Sequence, residues 1–165
     1  MATYGLPKSE KMLAALGRIA LRHSQLDNAL KMIVKDLVGV TKEEALDATA
    51  KQMSGELRGR VHKLAIQRLG ECSALVKLDA LLQRAQRATD RRNDWFHKTW
   101  GTEKASTSGA MRVVIRDASH TFQKAPTVKE LMALVEELEI LIDDIISARD
   151  GFLFEALKKK LLTSH

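Results

Sequence analysis

Apolar side chains recur every three or four residues along most of this chain, which is the pattern of helices that each bury one face. The first such stretch begins after Ser9, a residue type favoured at helix N-caps, and extends to about Val38, where Gly39 favours a helix end. The second opens with a capping box formed by Thr41 and Glu44 and continues to a stop near residue 70. The first part of the chain is therefore predicted to form two long amphipathic helices.

The second part has the same pattern on both sides of an interruption. A third helix is predicted from about Ser73 through Phe96, and a fourth restarts beside Thr127 and continues to Phe152. Between them, residues 101–126 lack helical periodicity, and the run at 113–115 predicts a short strand with residues 121–123 as its hairpin partner. The predicted fold class is all-α: an antiparallel four-to-five-helix bundle with a loop or short β-hairpin between the third and fourth long helices. We expect one helical domain over residues 1–165.

Composition agrees with this fold class. Hydrophobic residues make up 45% of the chain and charged residues 29%, and the two prolines and 4% aromatics favour helix. The N-terminal segment lacks the apolar run of a signal sequence, and no segment approaches the roughly 18 apolar residues of a membrane span. Cys72 is the single cysteine, which fits a reducing compartment. We expect a cytoplasmic protein without membrane contact.

Positive charge is concentrated in the middle of the chain. The net charge is +6, and residues 51–104 carry 12 Lys/Arg against 6 Asp/Glu, whereas residues 126–150 carry 2 against 7. Phosphate contacts provide most non-specific affinity for nucleic acids, so the middle region would attract a polyanion. Ordinary segregation of charge on a solvated surface is the alternative explanation.

Residues 91–100, RRNDWFHKTW, combine fixed positive charge, an amide and an imidazole beside two large aromatic rings. Arginine forms paired hydrogen bonds with phosphate oxygens, and histidine transfers protons near neutral pH. Arg18 and His23 have the same spacing as Arg92 and His97. However, only the later pair is followed by a long predicted loop that leaves room for a substrate.

Helix geometry places Arg92 close to the apolar stripe, about 40° from Leu78, and puts His97 about 140° away from Arg92. Asn93 lies one turn before His97 on the same face. A buried arginine needs an acidic partner or a cleft. The spacing therefore allows either a structural role for Arg92 or a role in a site.

The segment Arg92-Asn93-x-x-x-His97, at the end of a bundle helix and before a loop, resembles the signature of the HEPN superfamily. The layout over residues 9–152 is also similar, with a long first helix that contains Ser24-Gln25-Leu26-Asp27. Where many members have glycine directly after the histidine, this chain has Lys98. The resemblance implies a metal-independent ribonuclease of a toxin–antitoxin or other defence system, with RNA as substrate and an antitoxin or defence-complex partner as a candidate regulator.

The resemblance assigns catalytic roles to Arg92 and His97 and a polar supporting role to Asn93. His97 is then the general base or acid for attack of the 2′-hydroxyl on the adjacent phosphate, and Arg92 stabilises the charge on the phosphate oxygens. Because Arg92 and His97 diverge on one helix, joint action on a single phosphate is awkward within one chain, and a two-fold dimer that brings two motifs together solves this problem. The family resemblance implies the same composite cleft in a homodimer.

The remaining RNA-binding candidates have structural alternatives. Trp95 and Trp100 are candidates for base stacking, or for packing in the core or at a dimer interface. Arg91 and Lys98 are candidate phosphate contacts, or ordinary surface charges. No zinc-ligand spacing, phosphate-binding glycine loop or nucleophile elbow occurs, so neither a metal nor another cofactor is expected. The alternatives to a ribonuclease are a non-catalytic HEPN-like module that binds RNA or a protein, and an enzyme that acts on another substrate.

Overall fold

Helices dominate the computed structural model, which describes residues 2–4, 7, 9–103, 111–116 and 119–163. Within these ranges the elements are, in chain order, β1 Ala2–Tyr4, α1 Glu10–Val38, α2 Lys42–Thr49, α3 Ser54–Leu69, α4 Ser73–Phe96, β2 Thr99–Glu103, β3 Met111–Arg116, β4 Ser119–Lys124, α5 Val128–Ala148, a π-helical turn Arg149–Leu153, and α6 Phe154–Thr163. The predicted all-α helical bundle is confirmed.

Three long helices supply most of the core. Helix α1 packs along α5 and against α3, and α4 packs against α5 and α3. Leu26 of α1, Leu78 of α4 and Leu138 of α5 are each completely buried in one continuous apolar cluster. Truncating a buried leucine of this kind to alanine typically costs about 2–5 kcal/mol, so these positions fix the arrangement of the bundle.

The first helix forms as its sequence predicts. Ser9 accepts a hydrogen bond from the backbone N–H of Met12, 3.3 Å away, and Gly39 ends the helix in the left-handed conformation at φ 79°. A side chain at this φ is strained, which explains why glycine ends the helix here. The predicted bounds of α1 are therefore confirmed.

The prediction of one helix from Thr41 to residue 70 is wrong, because the chain breaks between α2 and α3 at residues 50–53. Thr41 and Glu44 form the predicted capping box at the start of α2. A second cap then starts α3, because the Glu56 carboxylate accepts from the Met53 backbone N–H at 3.0 Å. The break changes the direction of the chain between α2 and α3, and both helices pack against α1.

The segment between α4 and α5 forms strands. The predicted hairpin is confirmed: β3 pairs with β4 in antiparallel register, with Val113 opposite Phe122. The sheet is wider than predicted, since β2 pairs with β3 and the N-terminal strand β1 pairs with β2. The part of the predicted loop at residues 104–110 lies outside the described residues.

The last predicted helix is also divided. A capping box of Thr127 and Glu130 opens α5 as predicted. The π-helical turn then separates α5 from α6, with Gly151 at the non-helical angles φ −105° and ψ −108°. The lysines 158, 159 and 160 therefore lie on a helix and not in an irregular tail. No helix in the described part of the chain combines the length and apolar character needed to cross a membrane.

Candidate functional site

The predicted catalytic residues lie in the last turn of α4. Phe96 is the last residue of this helix, and His97 caps it with φ −88° and ψ −6°, its backbone N–H donating to the Asn93 carbonyl at 2.9 Å. The His97 side chain is exposed. Among the residues whose side chains the structure describes, no hydrogen bond or ion pair engages this imidazole. The imidazole is therefore accessible to a ligand from solvent.

Arg92 is held against its own helix. It is half-buried, its Nη1 donates to Asn93 Oδ1 at 2.9 Å, and its guanidinium lies 4.8 Å from the centre of the Phe96 ring. Its Nε is buried without a hydrogen-bond partner, and no carboxylate within the described ranges forms an ion pair with it. The fold therefore leaves part of the hydrogen-bonding capacity of this charged group unused.

The structure joins Arg92 to Asn93 directly, but it joins His97 to them only through the backbone of Asn93. Because α4 stays helical through Phe96, the Arg92 and His97 side chains leave the helix about 140° apart. One copy of the chain therefore presents the two groups in different directions.

Two predicted RNA-binding cations already have partners. Arg91 forms an ion pair with Glu137 of α5 and lies 5.6 Å from the Trp95 ring. Lys98 forms an ion pair with Asp94 and donates to Gln123 Oε1 at 2.8 Å. Partly exposed ion pairs of this kind contribute little, typically about 0–1 kcal/mol, so a phosphate can compete for either cation.

The two tryptophans differ in their surroundings. Trp95 is only 9% exposed and belongs to the core cluster, so its ring packs inside the protein and not on the surface. Trp100 is half-buried, and its indole N–H donates to the Trp95 carbonyl at 2.9 Å. Trp95 is therefore packed in the core, whereas part of Trp100 lies at the surface.

Behind this turn lies a buried polar cluster. It consists of His23 and Asp27 on α1, Arg58 on α3, and Gln86 and Thr89 on α4. His23, Arg58 and Thr89 are at most 7% exposed. The sequence signal for the cluster is that each of these three polar residues interrupts an apolar stripe.

Thr89 is the centre of the cluster. Its Oγ1 lies 3.1 Å from His23 Nε2, 3.0 Å from Arg58 Nη1 and 2.8 Å from the Ala85 carbonyl oxygen. Arg58 also donates to Gln86 Oε1 through Nε and Nη2, at 3.1 and 2.5 Å. These contacts tie α1 and α3 to α4 one turn before Arg92.

The electrostatics of the cluster disfavour a proton on His23. Burial lowers the pKa of His23 below its ordinary value, and the positive charges of Arg92 and Arg58 lower it further, although the Asp27 carboxylate acts in the opposite direction. At neutral pH the imidazole is therefore neutral, beside two fixed cations.

Over the described ranges, no three histidine, cysteine, aspartate or glutamate residues are grouped so that they could hold a metal ion. A surface groove of about 840 Å³ lies between α1 and α5, lined by Arg18, Gln25 and Glu136 among others, and contains none of the predicted site residues.

No known family model, no curated protein sequence and no solved structure matches this chain.

Proposed function

We propose that this protein is a metal-independent endoribonuclease of the HEPN type, acting in a cleft formed by two copies of the chain as a toxin or defence effector. The observation that carries the proposal is the exposed His97 at the end of α4, whose imidazole has no hydrogen-bond partner among the described residues. Asn93, one turn earlier on α4, accepts a hydrogen bond from Arg92. The basic character of residues 51–104 supports an RNA substrate.

The side chains suit cleavage that uses the 2′-hydroxyl of RNA. His97 accepts the proton of the 2′-hydroxyl as this oxygen attacks the adjacent phosphorus, and the bond from phosphorus to the 5′-oxygen breaks. The departing 5′-oxygen takes up a proton, and the products are a 2′,3′-cyclic phosphate and a free 5′-hydroxyl. Arg92 stabilises the charge that develops on the phosphate oxygens, and Asn93 holds its guanidinium.

Cooperation between Arg92 and His97 requires two chains in this proposal. The two side chains diverge by about 140° on one helix, whereas a two-fold axis beside the end of α4 brings Arg92 of one copy towards His97 of the other. Each dimer then contains two equivalent pairs of catalytic groups.

The first experiment measures RNA cleavage with excess chelator for the wild type, His97→Ala and Arg92→Gln. Loss of the general base or acid is expected to lower the rate by about 100-fold or more. Arg87→Ala is the matched control, because Arg87 is an exposed arginine of the same helix, on the side opposite the apolar stripe. Equal cleavage rates in all variants, or no cleavage of any RNA by the wild type, would contradict the proposal.

The second experiment tests the composite cleft. His97→Ala and Arg92→Gln chains, each inactive alone, are mixed after unfolding and refolded together. If each site combines Arg92 of one chain with His97 of the other, the mixed dimer has one intact site and regains activity. If a verified mixed dimer recovers no cleavage activity, Arg92 of one chain and His97 of the other do not act together.

A non-catalytic module that binds RNA or a protein is the second candidate. The pairing of Arg91 and Lys98 within the chain and the burial of Trp95 give these three residues structural roles, which counts against a catalytic RNA cleft at this turn. RNA binding by an intact wild-type dimer without cleavage, unchanged in His97→Ala, would select this alternative.

A further inference from the structure

The hydrogen atoms around Thr89 can be assigned by counting donors and acceptors. Thr89 has one hydroxyl hydrogen, and its oxygen lies 2.8 Å from the Ala85 carbonyl oxygen. Two oxygens at this distance need a hydrogen between them, and only Thr89 has one to give. The Thr89 oxygen must therefore accept from its other two neighbours, Arg58 Nη1 and His23 Nε2.

This assignment fixes the tautomer of His23. If Nε2 carries the hydrogen and the ring is neutral, Nδ1 has a free lone pair. Nδ1 lies 3.7 Å from Asp27 Oδ2, which is too long for a hydrogen bond. Asp27 Oδ2 instead accepts from the Ser54 hydroxyl at 2.8 Å, and Asp27 Oδ1 is buried without a partner.

Nδ1 is therefore the position where a proton would change the cluster. The charged groups that act on His23 are Asp27 of its own helix, Arg58 of α3 and Arg92 of α4. A proton on Nδ1 creates a third cation beside the two arginines and, at the same time, a donor for Asp27. Thr89 lies three residues before Arg92 on the same face of α4, so a shift of His23 towards Asp27 disturbs the turn that carries Arg92.

We propose that His23 is a positioning residue, which holds the Arg92-bearing turn of α4 through its Nε2–H donor to Thr89. Proton uptake at Nδ1 weakens this hold, because the new positive charge is repelled by Arg58 and Arg92 and the new Nδ1–H donor draws the ring towards Asp27. Cleavage would then be switched off in acid by a group that does not touch the RNA. The effect on cleavage rests on the proposed function, whereas the tautomer and the coupling to Arg92 do not.

The direct test is nitrogen-15 NMR of the wild-type protein. We expect the His23 signals of the Nε2–H tautomer near neutral pH, with assignment by their loss in His23→Gln. The Nε–H signal of Arg92 is expected to shift with the titration of His23 in the wild type and to lose that shift in His23→Gln. An Nδ1–H tautomer, or an Arg92 signal indifferent to His23, overturns the proposal whether or not the protein cleaves RNA.

The functional test compares pH profiles of cleavage. His23→Gln keeps an N–H donor for Thr89 but cannot take up a proton, so it should retain activity near neutral pH and lose it less steeply in acid than the wild type. The matched control is His62→Gln, which replaces a half-exposed histidine on α3 that pairs with Asp79 at 2.7 Å. A steep acid loss that is unchanged in His23→Gln contradicts the proposal. If the wild type cleaves no RNA, the proposed function is wrong, and the NMR experiment alone then tests the role of His23.

Stability provides a third readout. Because the folded pKa of His23 is lowered, mainly by burial, its contribution to stability is present above its ordinary pKa of 6.5 and is lost as the pH falls through the lower folded value. The melting temperature of the wild type should therefore fall more than that of His23→Gln over this window. Parallel curves for the two proteins count against a buried neutral His23.

Discussion

The indole Nε1 of Trp100 donates a hydrogen bond to the backbone carbonyl of Trp95, 2.9 Å away. Trp95 belongs to the last turn of α4, and Trp100 lies in β2, so the bond links the two elements on either side of His97. The turn that carries the exposed imidazole is therefore closed by a side-chain contact and not only by the end of the helix.

Replacing Trp100 by phenylalanine should loosen this turn. A smaller aromatic ring remains, but the N–H donor is lost and the Trp95 carbonyl loses a partner, so the unfolding free energy should fall by about 1 kcal/mol. Urea denaturation measures the loss, and the cleavage rate should fall with it because His97 is less firmly placed. Unchanged stability would show that the bond contributes nothing to the fold.

Replacing Trp95 by alanine should strongly destabilise the protein. The side chain is 9% exposed in the core, and removing a buried tryptophan typically costs about 3–5 kcal/mol. Trp95→Phe should cost much less, since most of the ring volume remains, and Phe154→Ala is a control at an aromatic that is 56% exposed. If Trp95→Ala instead leaves the melting temperature unchanged and weakens RNA binding, the ring serves base stacking.

Replacing Glu137 by glutamine should strengthen RNA binding. The change removes the acidic partner of Arg91, which then becomes available to a phosphate. An increase in affinity of about two- to fivefold is expected, the range of a weak surface pair. Glu136→Gln is the control, since it removes the same charge from an exposed neighbour on α5. Equal increases in both variants would indicate a general charge effect and not the release of Arg91.

Asp36 should stabilise the fold in a pH-dependent way. Burial alone would raise the pKa of its carboxyl, but hydrogen bonds from Arg149 and Lys35 outweigh burial and lower the pKa below 3.8. Its stabilisation is therefore present above pH 3.8 and lost as the pH falls through the lower folded value.

The corresponding test is Asp36→Asn. This variant should lose about 1–2 kcal/mol of unfolding free energy at pH 7, because Arg149 loses a charged partner 2.7 Å away. The difference from the wild type should shrink in acid, and guanidinium denaturation at several pH values measures it. Asp143→Asn, at an exposed position of α5, should show no such trend. If the difference in unfolding free energy persists in strong acid, the stabilisation does not come from the charge of Asp36.

Local rules in the sequence account for most of the helices. The cap at Ser9, the left-handed Gly39 and the capping boxes at Thr41 and Thr127 are decided by residues within one turn of each other, and each forms as predicted. The hairpin of β3 and β4 is local in the same sense. The break before α3 was missed because an apolar stripe continues across it, and the cap from Glu56 has no Ser, Thr, Asp or Asn at its N-cap position.

Some features of the candidate site likewise follow from local sequence, and others depend on contacts between distant residues. The helical pattern is enough to place Arg92, Asn93 and His97 at one helix end, and 3.6 residues per turn is enough to make Arg92 and His97 diverge there. Packing between helices puts Trp95 in the core, pairs Arg91 with Glu137, and brings His23, Arg58 and Thr89 together behind Arg92. Those contacts join residues 31 to 66 positions apart, and they depend on how each helix is rotated against its neighbours. That rotation is set by the packing of the whole core, which no short segment of sequence contains.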